Sequence, residues 1–496
     1  MNYVSTRGKT VAAHGLHSAD AIKKGLADDG GLFMPAELPH VTADEICQMS
    51  KMTYPERAAY ILGKFLTDYP AEQLLADCKA AYDESSFVGG AAPLHKLNDT
   101  VHVMELWHGP TCAFKDMALQ IMPKLLSGAL RITGETRTAF ILVATSGDTG
   151  KAALEGYADV DQVKIMVYYP VDGVSRMQKL QMATQRGDNV SVCAIKGNFD
   201  DAQTGVKQIF SDPAAAEALD ANGYFFSSAN SINWGRLVPQ IAYYFSAYCD
   251  LLASGEIRSG EAVNFSVPTG NFGNIFAGYL AKEMGLPVKR FLCASNKNNI
   301  LTDFLKTGVY DRNRDFYTTM SPSMDILISS NLERLLYLKT GCEATAAYMR
   351  SLNETGRYEI DAQTHQAITE SFAGYFCDEE ETAAVIRRTF DTYRYVVDPH
   401  TAVGLSAAEQ YLAESGDTET KMIVDSTASP YKFASAVCRA LNGSAPEDEF
   451  EALDVLSKTT GTQIPVPLAA LREKEVRFTE VIEPSEMLAR TRNEAK

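Results

Sequence analysis

At 496 residues the chain is too long for one ordinary folding unit; about 150 residues per domain predicts roughly two to four. Hydrophobic residues make up 46% and charged residues 22%, the balance of a globular protein, which excludes a disordered or fibrous chain. Acidic residues outnumber basic ones 63 to 46, so the formal charge of -17 repels nucleic-acid backbones and anionic lipid and leaves an anionic substrate dependent on a local nest of donors.

The opening segment, Met1-Asn2-Tyr3-Val4-Ser5-Thr6-Arg7-Gly8, has no apolar signal region, and no window reaches the roughly 18 apolar residues of a membrane span. Asp28-Asp29-Gly30-Gly31 reads as a turn, followed by Leu32-Phe33-Met34-Pro35 and helical stretches to about Tyr82, so residues 1–92 are expected to form a separate N-terminal unit. The nine cysteines are scattered and form no C-x-x-C, which argues against a disulfide framework or a zinc cluster; no metal is expected, and a reducing cytoplasm fits best.

From Thr138 onward, β-rich apolar runs alternate with amphipathic segments, the pattern of an α/β fold with parallel sheets covered by helices. Strands are expected at 138–145, 163–169, 190–195, 223–227, 263–267, 290–294 and 421–425. Helices are expected at 149–157, 174–184, 200–210, 234–252, 273–284 and 401–412. Residues 296–393 are rich in helix formers and read as a helical insertion before the alternation resumes at Tyr395 to Val397.

Five segments carry chemistry. In Leu106-Trp107-His108-Gly109-Pro110-Thr111-Cys112-Ala113-Phe114-Lys115-Asp116, a lysine sits among small and apolar residues, where desolvation favours the neutral, nucleophilic amine. Thr145-Ser146-Gly147-Asp148-Thr149-Gly150-Lys151-Ala152 follows a strand and opens a helix, a cradle for an anion such as a carboxylate; it lacks the first glycine and the magnesium-binding hydroxyl of a P-loop. Ser228-Ala229-Asn230-Ser231-Ile232-Asn233-Trp234-Gly235-Arg236 offers amides, a hydroxyl and a guanidinium fork suited to a phosphate monoester. Thr269-Gly270-Asn271-Phe272-Gly273-Asn274 is a strand-to-helix turn of phosphate-binding type, but not the G-x-G-x-x-G of a dinucleotide site. Finally Ser426-Thr427-Ala428-Ser429-Pro430-Tyr431-Lys432-Phe433 places small hydroxyls at the carboxyl edge of a sheet. Taken singly, each segment is equally an ordinary helix cap, turn or surface ion pair.

Together, the lysine in a PTxxFKD-like setting, the TSGDTG loop, the GNFGN loop and the late Ser/Thr turn resemble, in kind and in order, the tryptophan-synthase-like class of pyridoxal-phosphate enzymes. Within that class, Tyr3 to Gly8, Gly25 to Leu32, His108 to Thr111, Asn230 to Asn233 and Asp398-Pro399-His400-Thr401-Ala402-Val403-Gly404 look like the long-chain threonine synthases. The resemblance implies two open parallel-sheet subdomains with pyridoxal 5'-phosphate between them, within a catalytic region 93–496 whose mobile part is about 132–240. It implies that Lys115 holds the cofactor, that Gly270, Asn271, Phe272, Gly273 and Asn274 hold its phosphate, and that Thr427 faces its ring nitrogen. Many relatives have asparagine beside the phenolic oxygen where this chain has Asp148. Ser146, Gly147 and Thr149 are then expected at the substrate carboxylate, and Asn230, Ser231 and Arg236, with Asn271 nearby, at its phosphate. The implied activity is conversion of O-phosphohomoserine and water to threonine and phosphate, by a monomer or weak homo-oligomer. A phospho-lyase releasing 2-oxobutyrate, a serine or threonine dehydratase, and a non-catalytic phosphate-binding scaffold are the alternatives.

Overall fold

The computed structural model describes residues 1–8, 15–145, 147–172 and 174–495, the side chains of Asp200 and Ser211 excepted. Runs such as Ala139-Phe140-Ile141-Leu142-Val143, with no polar face, suit only strands covered on both sides. The strands of the two large sheets are β1 (Leu94–Lys96), β2 (Val101–Glu105), β3 (Thr138–Ala144), β4 (Val163–Pro170), β5 (Val190–Ile195), β6 (Tyr224–Ser227), β7 (Val263–Pro268), β8 (Val288–Ser295), β9 (Phe372–Phe376), β10 (Met422–Ser426) and β11 (Val481–Ile482). One sheet has the order β9-β8-β7-β10-β2-β1, parallel except for the antiparallel β1–β2 edge; the other, β11-β5-β4-β3-β6, is wholly parallel. The architecture is thus α/β with two open sheets, as expected. The N-terminal residues add an antiparallel pair, Tyr3–Ser5 with Phe33–Pro35, followed by the helices Ala43–Met49, Tyr54–Phe65 and Ala71–Ala81.

Three expectations need correction. The block 296–393 is not simply a helical insertion: it supplies β9, the edge strand beside β8. Its Phe372-Ala373-Gly374-Tyr375-Phe376 carries three aromatic strand formers in a short run broken by Gly374, where the helix Ile300–Thr307 lies so close that a Cβ would stand 2.9 Å from Thr302 Cα. Tyr395 to Val397 form no strand; they lead directly into Asp398, which caps the helix Pro399–Ser415 by accepting from the Thr401 and His400 N–H groups. The long helix expected from Trp234 is interrupted by a 3-10 turn, Val238–Gln240, because Pro239 has no N–H to give.

Phe265 at the centre of the larger sheet is fully buried, stacked on Phe291 with ring centroids 5.9 Å apart and edge-on to Tyr244 at 4.8 Å. Phe265→Ala is expected to cost about 3–5 kcal/mol of stability, read from urea unfolding. Among the described residues, no helix is long and apolar enough to cross a membrane, and no group of His, Cys, Asp and Glu is placed to hold a metal ion.

Candidate active site

Both sheets end at one cleft of about 1660 Å³, lined by Thr145 after β3, Ser227 in β6, Thr269 after β7 and Thr427 after β10. Carboxyl ends of parallel strands are where open α/β sheets collect ligands. Lys115 and the 270–274 loop line this same space.

Lys115 comes from a loop that its neighbours tie shut. Asp116 accepts from the Thr111 N–H and hydroxyl, both at 2.8 Å, and only glycine fits at 109, where a Cβ would meet that of Asp116 at 2.6 Å. The loop pairs with the turn after β10: the Phe114 N–H donates to Thr427 O at 2.8 Å, and Ala113 bridges Ala428. Main-chain geometry therefore sets Lys115 beside Thr427. Burial presses the Lys115 amine down to about 8, against the opposing pull of Asp148 3.9 Å away.

Asp148 opens helix α1 (Asp148–Tyr157), and four groups converge on it. Its Oδ1 receives Lys432 Nζ and Gln178 Nε2, each at 2.9 Å; its Oδ2 receives the Ser323 hydroxyl at 3.2 Å and faces Lys115 Nζ. Burial alone would raise this carboxyl, but Lys432 and Lys115 hold it far below the ordinary range. Gln178 is aimed by a capping box at the start of helix α2 (Arg176–Ala183): its Oε1 accepts from Ser175 N–H while Ser175 Oγ accepts from its own N–H, so its amide nitrogen is left to reach Asp148. Ser323 Oγ also accepts from Lys115 Nζ at 3.3 Å. The Ser323 N–H donates to His400 Nε2 at 3.2 Å, which fixes the tautomer: Nδ1 carries the proton and donates to Asp398 Oδ2 at 2.5 Å.

The turn from β7 into helix α3 (Gly273–Glu283) puts Phe272 in the left-handed region at φ 63° and brings Gly270 so close to Ser323 that a Cβ would lie 2.8 Å from its carbonyl oxygen. Such a turn gathers successive N–H groups at a helix start, the requirement for holding a phosphate. The Asn274 side chain serves another purpose: its amide donates to Asp425 Oδ2 at 3.1 Å and its oxygen accepts from Tyr244 at 2.8 Å and from Tyr243. Desolvation pushes the buried Asp425 carboxyl up to about 8.

Across the cleft, Arg236 is 4% exposed; it donates from Nη1 to Ala229 O at 3.0 Å, while its Nε has no partner among the described residues. Burial lowers this guanidinium to about 10, so it stays charged near neutrality. A buried fork with a donor to spare invites an oxyanion. Asn331 ties the 228–236 and 269–274 segments together, donating to Ser231 Oγ and to Asn271 O at 3.0 Å each. Arg334 then holds the carbonyls of Ser231 at 3.0 Å, Ile232 at 2.7 Å and Phe33 at 3.2 Å, and Glu333 accepts from Thr6 at 2.6 Å and from both Arg7 nitrogens at 2.8 and 2.7 Å.

Of the residues singled out from sequence, Lys115, Thr149, Asn230, Ser231, Arg236, Gly270, Asn271, Phe272, Gly273, Asn274 and Thr427 come together around this cleft. Gly147, at φ 132°, and Asp148 are set back behind it, with Gln178 packed against the former and Lys432 against the latter. Ser146 lies outside the described residues. Sequence reasoning missed Gln178, Ser323, Asn331, His400 and Lys432. Two of these stood in motifs already noted, His400 in Asp398-Pro399-His400 and Lys432 five residues after Thr427. The other three carry no sequence signal, because only the fold brings them to the site.

Three family models match the chain: "Threonine synthase N terminus" over residues 2–82, "Pyridoxal-phosphate dependent enzyme" over 86–425 and "Threonine synthase, C-terminal" over 401–490. The chain is 41% identical over 436 residues to human threonine synthase-like 1, covering 85% of this chain and 58% of that protein's length. It is 39% identical over 484 residues to the threonine synthase of Pseudomonas aeruginosa, covering 97% of this chain and 95% of that one. The crystal structure of a PLP-bound threonine synthase from Brucella melitensis superposes with a TM-score of 0.87 at 37% identity, covering 100% of both chains.

Proposed function

This chain belongs to the threonine synthase family of pyridoxal-phosphate-dependent enzymes, and from that membership we propose that it converts O-phosphohomoserine and water to L-threonine and phosphate. One observation carries the reading beyond family likeness. A largely desolvated lysine amine, a phosphate-type turn and a buried guanidinium whose Nε has no partner among the described residues all border a single cleft. A dehydratase of unphosphorylated amino acids needs no second phosphate site.

The residues present fit the cofactor. Gly270 leaves the turn free of a Cβ, the Phe272 conformation shapes it, and Lys115 and Thr427 stand side by side within reach of the same space. Gly270 to Gly273 would hold its phosphate and Lys115 its aldehyde carbon. When bound, pyridoxal phosphate withdraws electrons from the substrate's α carbon and makes protons there and at the β carbon removable. Lys115 Nζ is the base suited to carry those protons, since burial keeps a substantial neutral fraction near neutrality. Thr149, at the start of α1, orients the substrate carboxylate. Arg236, Ser231 and Asn230, with Asn271 opposite, bind the phosphate group and stabilise its charge as it departs from the γ carbon. All nine cysteines carry free thiols, which supports a reducing, cytoplasmic setting.

The test is direct. Purified protein with pyridoxal phosphate and O-phosphohomoserine is expected to yield threonine and inorganic phosphate in equal amounts; 2-oxobutyrate and ammonia in place of threonine would identify a phospho-lyase. Gly270→Ala is expected to weaken pyridoxal phosphate binding about ten-fold, or about 1.4 kcal/mol, in an equilibrium absorbance titration, because the new Cβ must displace the Ser323 carbonyl.

A further inference from the structure

Two lysines compete for the one carboxylate at the back of the cleft, and the geometry does not treat them alike. Lys432 Nζ lies 2.9 Å from Asp148 Oδ1 and its side chain is completely buried; Lys115 Nζ lies 3.9 Å from Oδ2 and its side chain is 13% exposed. A fully buried ammonium survives only with a fixed anion and satisfied donors. Lys432 has both, since it also donates to the Thr111 carbonyl at 2.9 Å. The neighbouring acid, Asp116, already accepts from the N–H and hydroxyl of Thr111. Lys432 reaches this position from the 3-10 turn Pro430–Phe433, which is capped by Ser429 and continuous with the Thr427 turn.

We propose that Lys432 is the permanent counter-cation of Asp148 and that, by occupying this carboxylate, it leaves Lys115 as the amine of the pair able to shed its proton. Lys432 is therefore a positioning residue: it touches neither reacting carbon and acts through Asp148. The other charged groups around Lys115 do not reverse the balance. Asp148 favours its ammonium form, whereas Arg236 and Lys432 oppose it, and Asp116 adds a smaller opposite pull. Lys151, on the next turn of α1, is engaged by Glu155 at 2.5 Å and by Gln185. The Ser323 hydroxyl is neutral, and its link to His400 runs through the main-chain N–H. Without the Lys432 charge, Lys115 would become the sole cation in contact with Asp148 and would hold its proton to higher pH.

The inference rests on Lys115 being the reactive amine, not on which substrate is turned over. Its test uses the full chain freed of cofactor, with competitive acetylation of Lys115 by acetic anhydride followed across pH by peptide mass spectrometry. The midpoint of Lys115 labelling in Lys432→Gln is expected to rise by at least about one pH unit, making acetylation about ten-fold slower at neutral pH. Lys432→Arg keeps the charge and is expected to label like the parent protein. In Asp148→Asn the midpoint is expected to fall, because Lys432 then faces Lys115 unscreened; this arm stands by itself should the glutamine variant fold poorly. An unchanged midpoint in Lys432→Gln, or no fall in Asp148→Asn, overturns the proposal. Neither result depends on threonine formation, so failure of the proposed activity would leave this experiment untouched, and the converse also holds.

Discussion

Lys115→Ala is expected to lower threonine formation by at least about 10³-fold, with product measured by chromatography under saturating cofactor. In the proposed reaction the side chain serves two roles. It stands beside Thr427 as the partly exposed amine that meets the cofactor, and its neutral fraction supplies the base for protons at the α and β carbons. Lys432 cannot substitute, because it is sealed between Asp148 and the Thr111 carbonyl. Stability should hardly change. Asp148 keeps Lys432, Gln178 and Ser323 as partners, so truncating Lys115 strands no buried charge. Unfolding within about 1 kcal/mol of the parent, alongside the lost activity, would locate the effect in chemistry. Retention of a tenth or more of the activity would remove Lys115 from the mechanism.

Arg236→Met is expected to reduce kcat/KM for O-phosphohomoserine by about 10²-fold or more, with competitive inhibition by inorganic phosphate lost in parallel. The expected size follows from burial: charge-assisted hydrogen bonds made in a desolvated site are worth more than their surface counterparts. Because the guanidinium Nε has no partner among the described residues, its removal leaves only the Ala229 carbonyl unsatisfied among them, and fold stability should be unchanged or slightly improved. Lysine at 236 should rescue poorly, since a point charge cannot reproduce a planar fork. A variant that loses stability but keeps its phosphate sensitivity would show that Arg236 supports the loop instead of the ligand.

The α/β class was legible because buried parallel strands such as 139–143 leave an apolar run that no half-exposed element would tolerate. Likewise, the turns proposed to bind anions announce themselves through glycine and small hydroxyls, whose purpose is local. What escaped was set by contacts distant in sequence. Phe372 to Phe376 is a short aromatic run whose partner in β8, Phe291 to Ser295, lies far away in sequence, and Ser323 reaches Lys115 across 208 residues of chain. Asn274 shows what a motif leaves open: it lines the cleft, yet its side-chain amide is turned toward Asp425 and two tyrosines.

The contacts of Asn331, Glu333 and Arg334 bear on how far this enzyme can be pared down. Thr6 and Arg7 grip Glu333, and Arg334 reaches both Phe33 and the carbonyls of the 231–232 loop. The opening residues are thus a guy-rope for the neighbouring 231–232 loop, for which the substrate-phosphate role is proposed. An engineer seeking a minimal version could not trim the first eight residues as dispensable ornament. Clipping them would slacken a line that runs through one helix to the loop where the departing anion is proposed to be caught.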